Sequence, residues 1–335
     1  MKYKVFIGVD VSKETLDFVV IIEGEKLFHL QVSNDTKGIN LFYKRLLKEV
    51  GTDHSHWLLC LEHTGIYCNP LLEFVGDKDI PVWLENAVKI KVFHALERGK
   101  NDALDALRIA EYAYAKRDKV RLWEAPREVI NQLKSMIRLR KRLLTSKKRL
   151  LDPLKEEKQH GNKQWAKEHD KLLRPVIVKI EKQLKEVERK IQQLIDGDDY
   201  LKQLYQLITS VSGVGQIVAI NTLVVTNEFK QITDPKKMAC HCGVAPFKYD
   251  SGKTIRSRAK VSHRADKSMK VLLHLAAMSA ITSKGELRDY YVRKVDEGKN
   301  KMAIINAIRN KIIHRIFACV RENRKYEKIY THALA

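Results

Sequence analysis

From Leu173 to Leu194 apolar residues recur in alternating steps of four and three: Leu173, Ile177, Ile180, Leu184, Val187, Ile191 and Leu194. A strand cannot keep such a period, because its side chains alternate every two residues. The spacing is a heptad seam and predicts a long helix that pairs with another. A partner precedes it, with Val, Leu, Met, Arg, Leu, Lys, Leu and Leu at positions 129, 133, 136, 140, 143, 147, 150 and 154. Gly161-Asn162 stands between them and suits a turn into an antiparallel hairpin. Residues 125–205 are therefore expected to form a helical coiled coil, closing within one chain or between two. Two amphipathic helices laid on a globular core are the plainer alternative.

The first of these helices is strongly basic. Lys134, Arg138, Arg140, Lys141, Arg142, Lys147, Lys148 and Arg149 fall within sixteen residues, with no acidic residue between Val129 and Leu151. Neutralisation by i,i+4 pairs inside the helix is therefore absent. Each such charge set on a phosphate adds affinity through counterion release, so these eight residues are candidate nucleic-acid contacts. The whole chain points the same way. Its 335 residues hold 63 Lys+Arg against 41 Asp+Glu, a formal charge of +22, which suggests a polyanionic partner. An apolar content of 44% excludes disorder as the main state. No run approaches the ~18 uncharged apolar residues of a membrane span. The opening segment has no small-residue cleavage site and is not expected to be a secretory signal. Five Cys without framework spacing fit a reducing cytoplasm, nucleoid-associated in a prokaryote if the partner is DNA.

Residues 1–124 read as α/β. Strands are expected at Tyr3–Val9, Thr15–Ile22 and Lys26–Val32, around a turn at Glu23-Gly24-Glu25. A helix capped by Asp35-Thr36 follows to about residue 50. Trp57–Leu61 is a short apolar strand, Ile66–Val75 looks helical, Ile80–Leu84 is a fifth strand, and helices follow at 86–97 and 102–116. A three-strand meander, then strands alternating with helices, is the order of a ribonuclease-H-like fold. Four carboxylates stand out in it. Asp10 and Glu62 each end an apolar strand, with Asp17 and Glu14 as rivals to Asp10. Asp102 and Asp105 project from one face of a helix. Converging carboxylates repel and raise one another's pKa unless divalent cations hold them ionised. Mg²⁺ suits such hard oxygen ligands, and two ions can stabilise both the attacking and the leaving oxygen of phosphoryl transfer.

Residues 206–290 form a further unit and 291–335 a basic helical tail. Gly213-Val-Gly215, between an apolar segment and a helix, is a helix–hairpin–helix-like pattern whose backbone N–H groups suit a phosphate, or is simply a tight turn. Cys240-His-Cys242 lacks the second pair of ligands that structural zinc wants. Ser251-Gly252 lies in a polar loop with Lys248, Lys253, Arg256, Arg258 and Lys260, cations able to hold a phosphate and stabilise charge developing on it. A Ser nucleophile also needs a base or a metal, and no His motif beside Ser251 supplies one.

Taken together these segments resemble the DEDD-type insertion-sequence transposases with a RuvC-like domain, the IS110 family, to which the pilin-gene invertase is related. The resemblance runs nearly end to end. It is carried by Ile7-Gly-Val-Asp10-Val-Ser-Lys13, Leu61-Glu62-His-Thr64-Gly65-Ile-Tyr67, Lys100-Asn-Asp102-Ala-Leu-Asp105-Ala106, Gly213-Val-Gly215, Cys242-Gly-Val-Ala-Pro246 and Ser251-Gly252. It implies a RuvC-like catalytic domain (1–124), the basic coiled coil (125–205), a mainly helical transposase domain carrying the serine (206–290) and a helical tail (291–335). It implies a DNA recombinase in which Asp10, Glu62, Asp102 and Asp105 bind Mg²⁺ while Ser251 forms a covalent phosphoserine intermediate. Element ends and target DNA, a structured guide RNA, and dimers or tetramers in which the acids of one subunit work with the Ser of another are implied as partners. A RuvC-like nuclease using metal-activated water and a non-enzymatic nucleic-acid scaffold are the rival readings.

Overall fold

The computed structural model describes residues 2–62, 64–94, 99, 101–246, 250–251, 255–256, 261–262 and 265–327, with backbone pairing alone for Asp250, Ser251, Ile255 and Arg256. Two compact units divide the chain, Met1–Ala125 and Pro126–Ala335.

Unit 1 is built on one five-stranded sheet. Its strands are β1 (Val5–Val11), β2 (Thr15–Ile22), β3 (Glu25–Ser33), β4 (Trp57–Glu62) and β5 (Val82–Glu85), in the spatial order β3-β2-β1-β4-β5. β1, β2 and β3 form an antiparallel meander, and β4 and β5 run parallel to β1. This mixed order is the ribonuclease-H-like arrangement expected from the sequence. Period-two alternation divides the sheet into two faces. Val5, Ile7, Val9, Leu16, Phe18, Leu59 and Leu61 build one core with α1 (Thr36–Val50) and α2 (Asn69–Gly76). Phe6, Val19, Leu58, Cys60 and Trp83 face the other way, toward α3 (Ala87–Phe93) and α4 (Asp102–Ala115).

Local chemistry sets the helix boundaries. Asp35 caps α1, its Oδ1 accepting from the Gly38 N–H at 2.8 Å. The helix expected over Ile66–Val75 is instead a 3-10 turn, Gly65–Cys68, followed by α2. Pro70 lacks the N–H that a helix running through it would donate to Ile66, so the regular helix starts around it. Asn101 caps α4, its Oδ1 accepting from Leu104 N–H at 2.7 Å.

Gly8 fixes where α4 lies. A Cβ there would come within 2.2 Å of the Ala106 carbonyl oxygen and 2.4 Å of the Ala110 nitrogen. The helix backbone thus rests directly on β1, two residues before Asp10.

Among its described residues, unit 2 is helical apart from one short strand pair. α5 (Glu128–His160) and α6 (Lys163–Asp196) form a hairpin turned at Gly161 and Asn162. Ion pairs give its register: Arg140 with Glu188, Lys147 with Glu181, Lys158 with Asp170. Each advance along α5 is matched by an equal retreat along α6, so the helices are antiparallel and the seam closes within one chain. Pro153 and Pro175, both inside helices, stand at the same level of this hairpin. The base of the hairpin does not form a separate layer. Ile130, Leu133, Val187, Ile191 and Ile195 share one core with residues of α7 (Asp199–Thr209), α8 (Gln216–Thr226), α9 (Pro235–His241), α10 (Lys267–Thr282), α11 (Glu286–Asp296) and α12 (Lys301–Arg321). The segments drawn after residue 124 from sequence are thus joined by one hydrophobic interior, because the seam residues near both ends of the hairpin continue into it. Arg127 ties the start of α5 to the buried carboxylate of Glu228 and, at 2.7 Å, to Asp198. No helix among the described residues is long and apolar enough to cross a membrane.

Replacing Gly8 by Ala forces α4 off β1, and overpacking of this kind costs about 1–3 kcal/mol. Urea unfolding of Gly8→Ala should show a loss in that range; an unchanged midpoint would mean that α4 slides freely on the sheet.

Candidate active site

The carboxylates singled out in unit 1 gather at one end of the sheet, on the α4 face. Asp10 sits on β1 opposite Asp17 of β2 in the antiparallel register. Val9 pairs with Leu61 on β4, which sets Asp10 beside Glu62, and Glu62 is paired in turn with Glu85 of β5. Parity puts Asp17, Asp10, Glu62 and Glu85 on the same face, a row of acids crossing four strands. The first turn of α4 adds Asp102 and Asp105. Because Asn101 takes the cap, Asp102 is not used to satisfy the helix start.

The electrostatics follow from this crowding. The Asp10 carboxyl is pushed up to about 6, first by burial and then by the negative charges of Asp102, Asp105, Glu62 and Asp17. The Glu62 carboxyl is also raised, by burial foremost; the Lys91 ammonium pulls against this and Asp105 adds to it. Asp105 is partly offset by Arg108, whose Nη1 lies 3.3 Å from Oδ1. Among the described residues no cation stands within ion-pair distance of Asp10, Glu62 or Asp102. Nor do any three His, Cys, Asp or Glu side chains close around a single ion position among them. The acids are near enough to repel yet are not drawn into one coordination sphere. All of them are hard oxygen donors, which fits a divalent cation of the Mg²⁺ class and no soft metal.

Besides Asp17, which the sequence offers as a rival to Asp10, the site has supporting residues that the sequence does not single out. Asp17 is 2% exposed and accepts hydrogen bonds from His29 Nε2 at 2.8 Å and Gln31 Nε2 at 2.9 Å. Glu85 accepts from Tyr112 Oη at 3.1 Å and pairs with Lys89 Nζ at 2.9 Å. These two outer acids of the row are held by side-chain partners, and among the described residues the inner two have none. Asn34 Nδ2 donates to the Ser12 and Tyr67 carbonyls at 2.8 and 2.9 Å, tying the segments that leave β1 and β4. The Cys68 thiol faces the Glu62 carbonyl at 3.6 Å and so steadies the backbone below that acid. Strand parity would have added His29 and Gln31 to Asp17. Nothing in the sequence marks Asn34 or Cys68.

In unit 2, Ser251 lies on β6 (Asp250–Ser251), paired with Ile255 of β7 (Ile255–Arg256), and Asp250 pairs with Arg256. Lys248, Lys253, Arg258, Lys260 and His263 lie outside the described residues, as do Gly252, Lys100 and His63. Of the eight basic residues on α5, Arg140 and Lys147 are taken up by Glu188 and Glu181 at 2.8 and 2.6 Å. The neutralisation missing within the helix is thus supplied in part by its neighbour. Arg138, Lys141, Arg142, Lys148 and Arg149 are exposed, and Lys134 is half-buried. Burial lowers the Lys134 pKa, and repulsion from Arg138 lowers it further. Gly213 packs on α10, where a Cβ would meet the Ala276 carbonyl oxygen at 2.3 Å. Close packing accounts for that glycine. Gly215 is exposed at the start of α8 with open space around it. Cys242 is buried and its thiol is pushed up to about 12 by that burial, a core cysteine rather than a metal ligand.

Two family models match the chain. One, DEDD_Tnp_IS110, described as a transposase, covers residues 7–156; the other, described as transposase IS116/IS110/IS902 family, covers residues 205–292. The pilin gene-inverting proteins of Moraxella lacunata and Moraxella bovis are each 24% identical, over 97% of this chain and 98% of theirs. An uncharacterized 44.8 kDa protein of insertion element IS116 from Streptomyces clavuligerus is 22% identical over 45% of this chain and 36% of its own length. The solved structure of T. thermophilus RuvC in complex with a Holliday junction substrate aligns at a TM-score of 0.29 and 14% identity, over 36% of this chain and 100% of that one.

A native carboxyl titrating near 6, above its unfolded value, keeps its proton while the unfolded chain has lost it. Stability therefore falls as pH rises from about 4 to about 6 and stays low above that window. In EDTA at pH 7, Asp10→Asn should be more stable than the parent by on the order of 1–3 kcal/mol, and the two should converge near pH 4. Urea midpoints across that range test this; a variant less stable at pH 7 would contradict the crowding.

Proposed function

The chain belongs to the IS110/IS116/IS902 family of transposases, and from that premise we propose that it cleaves and rejoins DNA through a phosphoserine ester at Ser251, with divalent cations held by Asp10, Glu62, Asp102 and Asp105. The supporting observation is the set of neighbouring carboxylates around Asp10: burial first and then the neighbouring negative charges raise the Asp10 carboxyl, burial foremost raises that of Glu62, and among the described residues neither has a cation within ion-pair distance. Structural carboxylates are paired, as Asp17 and Glu85 are. Unpaired ones at the end of a sheet suit an ion that arrives with its substrate. The seven-residue run that opens the family resemblance, Ile7 to Lys13, supplies both Gly8, which seats α4, and Asp10.

In this reading the Ser251 Oγ attacks a backbone phosphorus, its proton leaves to a base, and the ester bond to one deoxyribose oxygen breaks. The strand is released as a hydroxyl, and the phosphate stays on the serine. A hydroxyl from a second strand then attacks the same phosphorus, joins to it and returns the serine. The cations would supply charge neutralisation for the attacking and leaving oxygens. Asp10 and Glu62, fixed on adjacent strands, and Asp102 and Asp105, one turn apart on α4, would hold them from two sides. The exposed cations of α5 would grip the nucleic-acid backbone without reading its sequence. Element ends and target are the DNA partners of this reading, with a guide RNA and a homo-oligomer as further partners. The working segments are 1–124 for catalysis, 125–205 for grip, and 206–290 with 291–335 for the serine.

Ser251→Ala should lose the covalent protein–DNA adduct and lower strand exchange by about a thousandfold or more, with DNA binding unchanged within about twofold. Asp102→Asn should do the same. Denaturing gels of DNA-treated protein, followed by mapping of the linked residue, decide the matter. Intact cleavage without an adduct in Ser251→Ala would make water the nucleophile and overturn the serine assignment.

A further inference from the structure

A slot of about 420 Å³ opens on unit 2 where α5, α8 and α10 meet. Its walls are aliphatic: Ile137 and Leu144 from α5, Ile217 and Ile220 from α8, Val271 and Leu272 from α10. Val271 is 58% exposed at this opening. No carboxylate lines the slot, and its charged residues are Arg140, Lys141 and Lys267. Glu188 accounts for Arg140. Among the described residues Lys141 meets only the neutral Ser268 hydroxyl, at 3.0 Å. Lys267 is exposed and makes no side-chain hydrogen bond or ion pair among the described residues. Two turns back on the same face as Lys141, Lys134 is a further cation, with no carboxylate partner among the described residues.

This combination selects its occupant. The walls want a body without charge, and the rim wants anions on either side of it. A polypeptide segment could fill the walls but would need its own acids at both ends. A nucleotide carries both parts in one unit, a base with two faces and a phosphate on each side. In a duplex the base is stacked and cannot enter, so the nucleotide must be unpaired. Asn221, at the slot, gives its Nδ2 to the Ile217 carbonyl at 2.7 Å, which leaves Oδ1 to accept from an exocyclic amino group. We propose that this slot receives one unpaired base of a DNA strand, with its flanking phosphates on Lys141 and Lys267. DNA is chosen over RNA because it is the polymer on which this family acts. The proposal rests on that family reading but not on the chemistry of Ser251. A strand being exchanged must leave its duplex, and the slot would hold it while it is single.

The test uses the full chain and a single-stranded DNA oligonucleotide of about a dozen nucleotides, followed by fluorescence anisotropy. Val271→Trp fills the slot from its exposed mouth. It should weaken single-strand binding about tenfold and duplex binding no more than about twofold. An oligonucleotide with abasic sites should bind the parent about tenfold more weakly and the variant no worse than the intact strand does. Lys267→Ala, an exposed position whose change does not threaten folding, should lower single-strand affinity and flatten its salt dependence. A strand carrying 5-iodo-deoxyuridine should crosslink to α8 or α10 in the parent and not in Val271→Trp. Equal binding of abasic and intact strands, an unaffected Val271→Trp, crosslinks confined to other elements, or tighter binding of the matching RNA would each overturn the proposal. Because every readout is binding, loss of the Ser251 adduct leaves these outcomes unchanged, and their failure leaves the serine assignment standing.

Discussion

Negative charge crowded where β1 and β4 end is the constraint around which unit 1 is arranged. Asp10 and Glu62 lie side by side because a parallel register pairs Val9 with Leu61. Asp102 and Asp105 reach the same place because Gly8 lets α4 settle on the backbone of β1. Neither feature lowers the energy of the empty protein. Burial and mutual repulsion raise the Asp10 carboxyl to about 6, so the arrangement costs stability at neutral pH. The outer acids of the row show what the fold does with a carboxylate it keeps for itself. Asp17 is given His29 and Gln31, and Glu85 is given Tyr112 and Lys89. Among the described residues the inner acids have no such partners, and that difference is what sets the proposed ligands apart from the structural acids on one face of one sheet.

Unit 2 rests on a different balance. Its positive charge is distributed along a hairpin whose base is part of the core. The acids that neutralise it sit on α6, and they neutralise only part. Arg140 and Lys147 clasp the hairpin, while Arg138, Lys141, Arg142, Lys148 and Arg149 remain in solvent. Burying a cation without a carboxylate is unfavourable, as the lowered pKa of Lys134 records. Polyanion binding would relieve that cost, which connects the charge of the chain to the proposal that α5 is a nucleic-acid face.

Much of this was legible in the sequence, for identifiable reasons. Short apolar runs and turn residues marked the strands of unit 1 and the strand ends that carry Asp10 and Glu62; the face those acids share follows from the pairing of Val9 with Leu61. The four-three spacing gave both long helices, and Gly161-Asn162 gave their turn. What could not be read depends on residues far apart in the chain. The pairing of Arg140 with Glu188 requires the hairpin register, and the tie from Arg127 to Glu228 spans a hundred residues of intervening fold. The start of α2 is set by Pro70, whose effect is hidden in the sequence by the apolar run around it. Asp102 at the start of α4 could by residue type serve as a helix cap, but Asn101 takes that place. Gly213 looked like part of a phosphate loop, and packing on α10 explains it.

Cation binding by the acids is the claim on which the enzymatic account stands. The most direct measurement is calorimetric titration of the full chain with Mn²⁺ at pH 6, in two buffers of different ionisation enthalpy, beside Asp10→Asn. The account predicts binding by the parent with release of a fraction of a proton, since Asp10 must ionise to become a ligand, and weakened binding without that release in the variant. Equal Mn²⁺ affinity and equal proton release in the two proteins would contradict it.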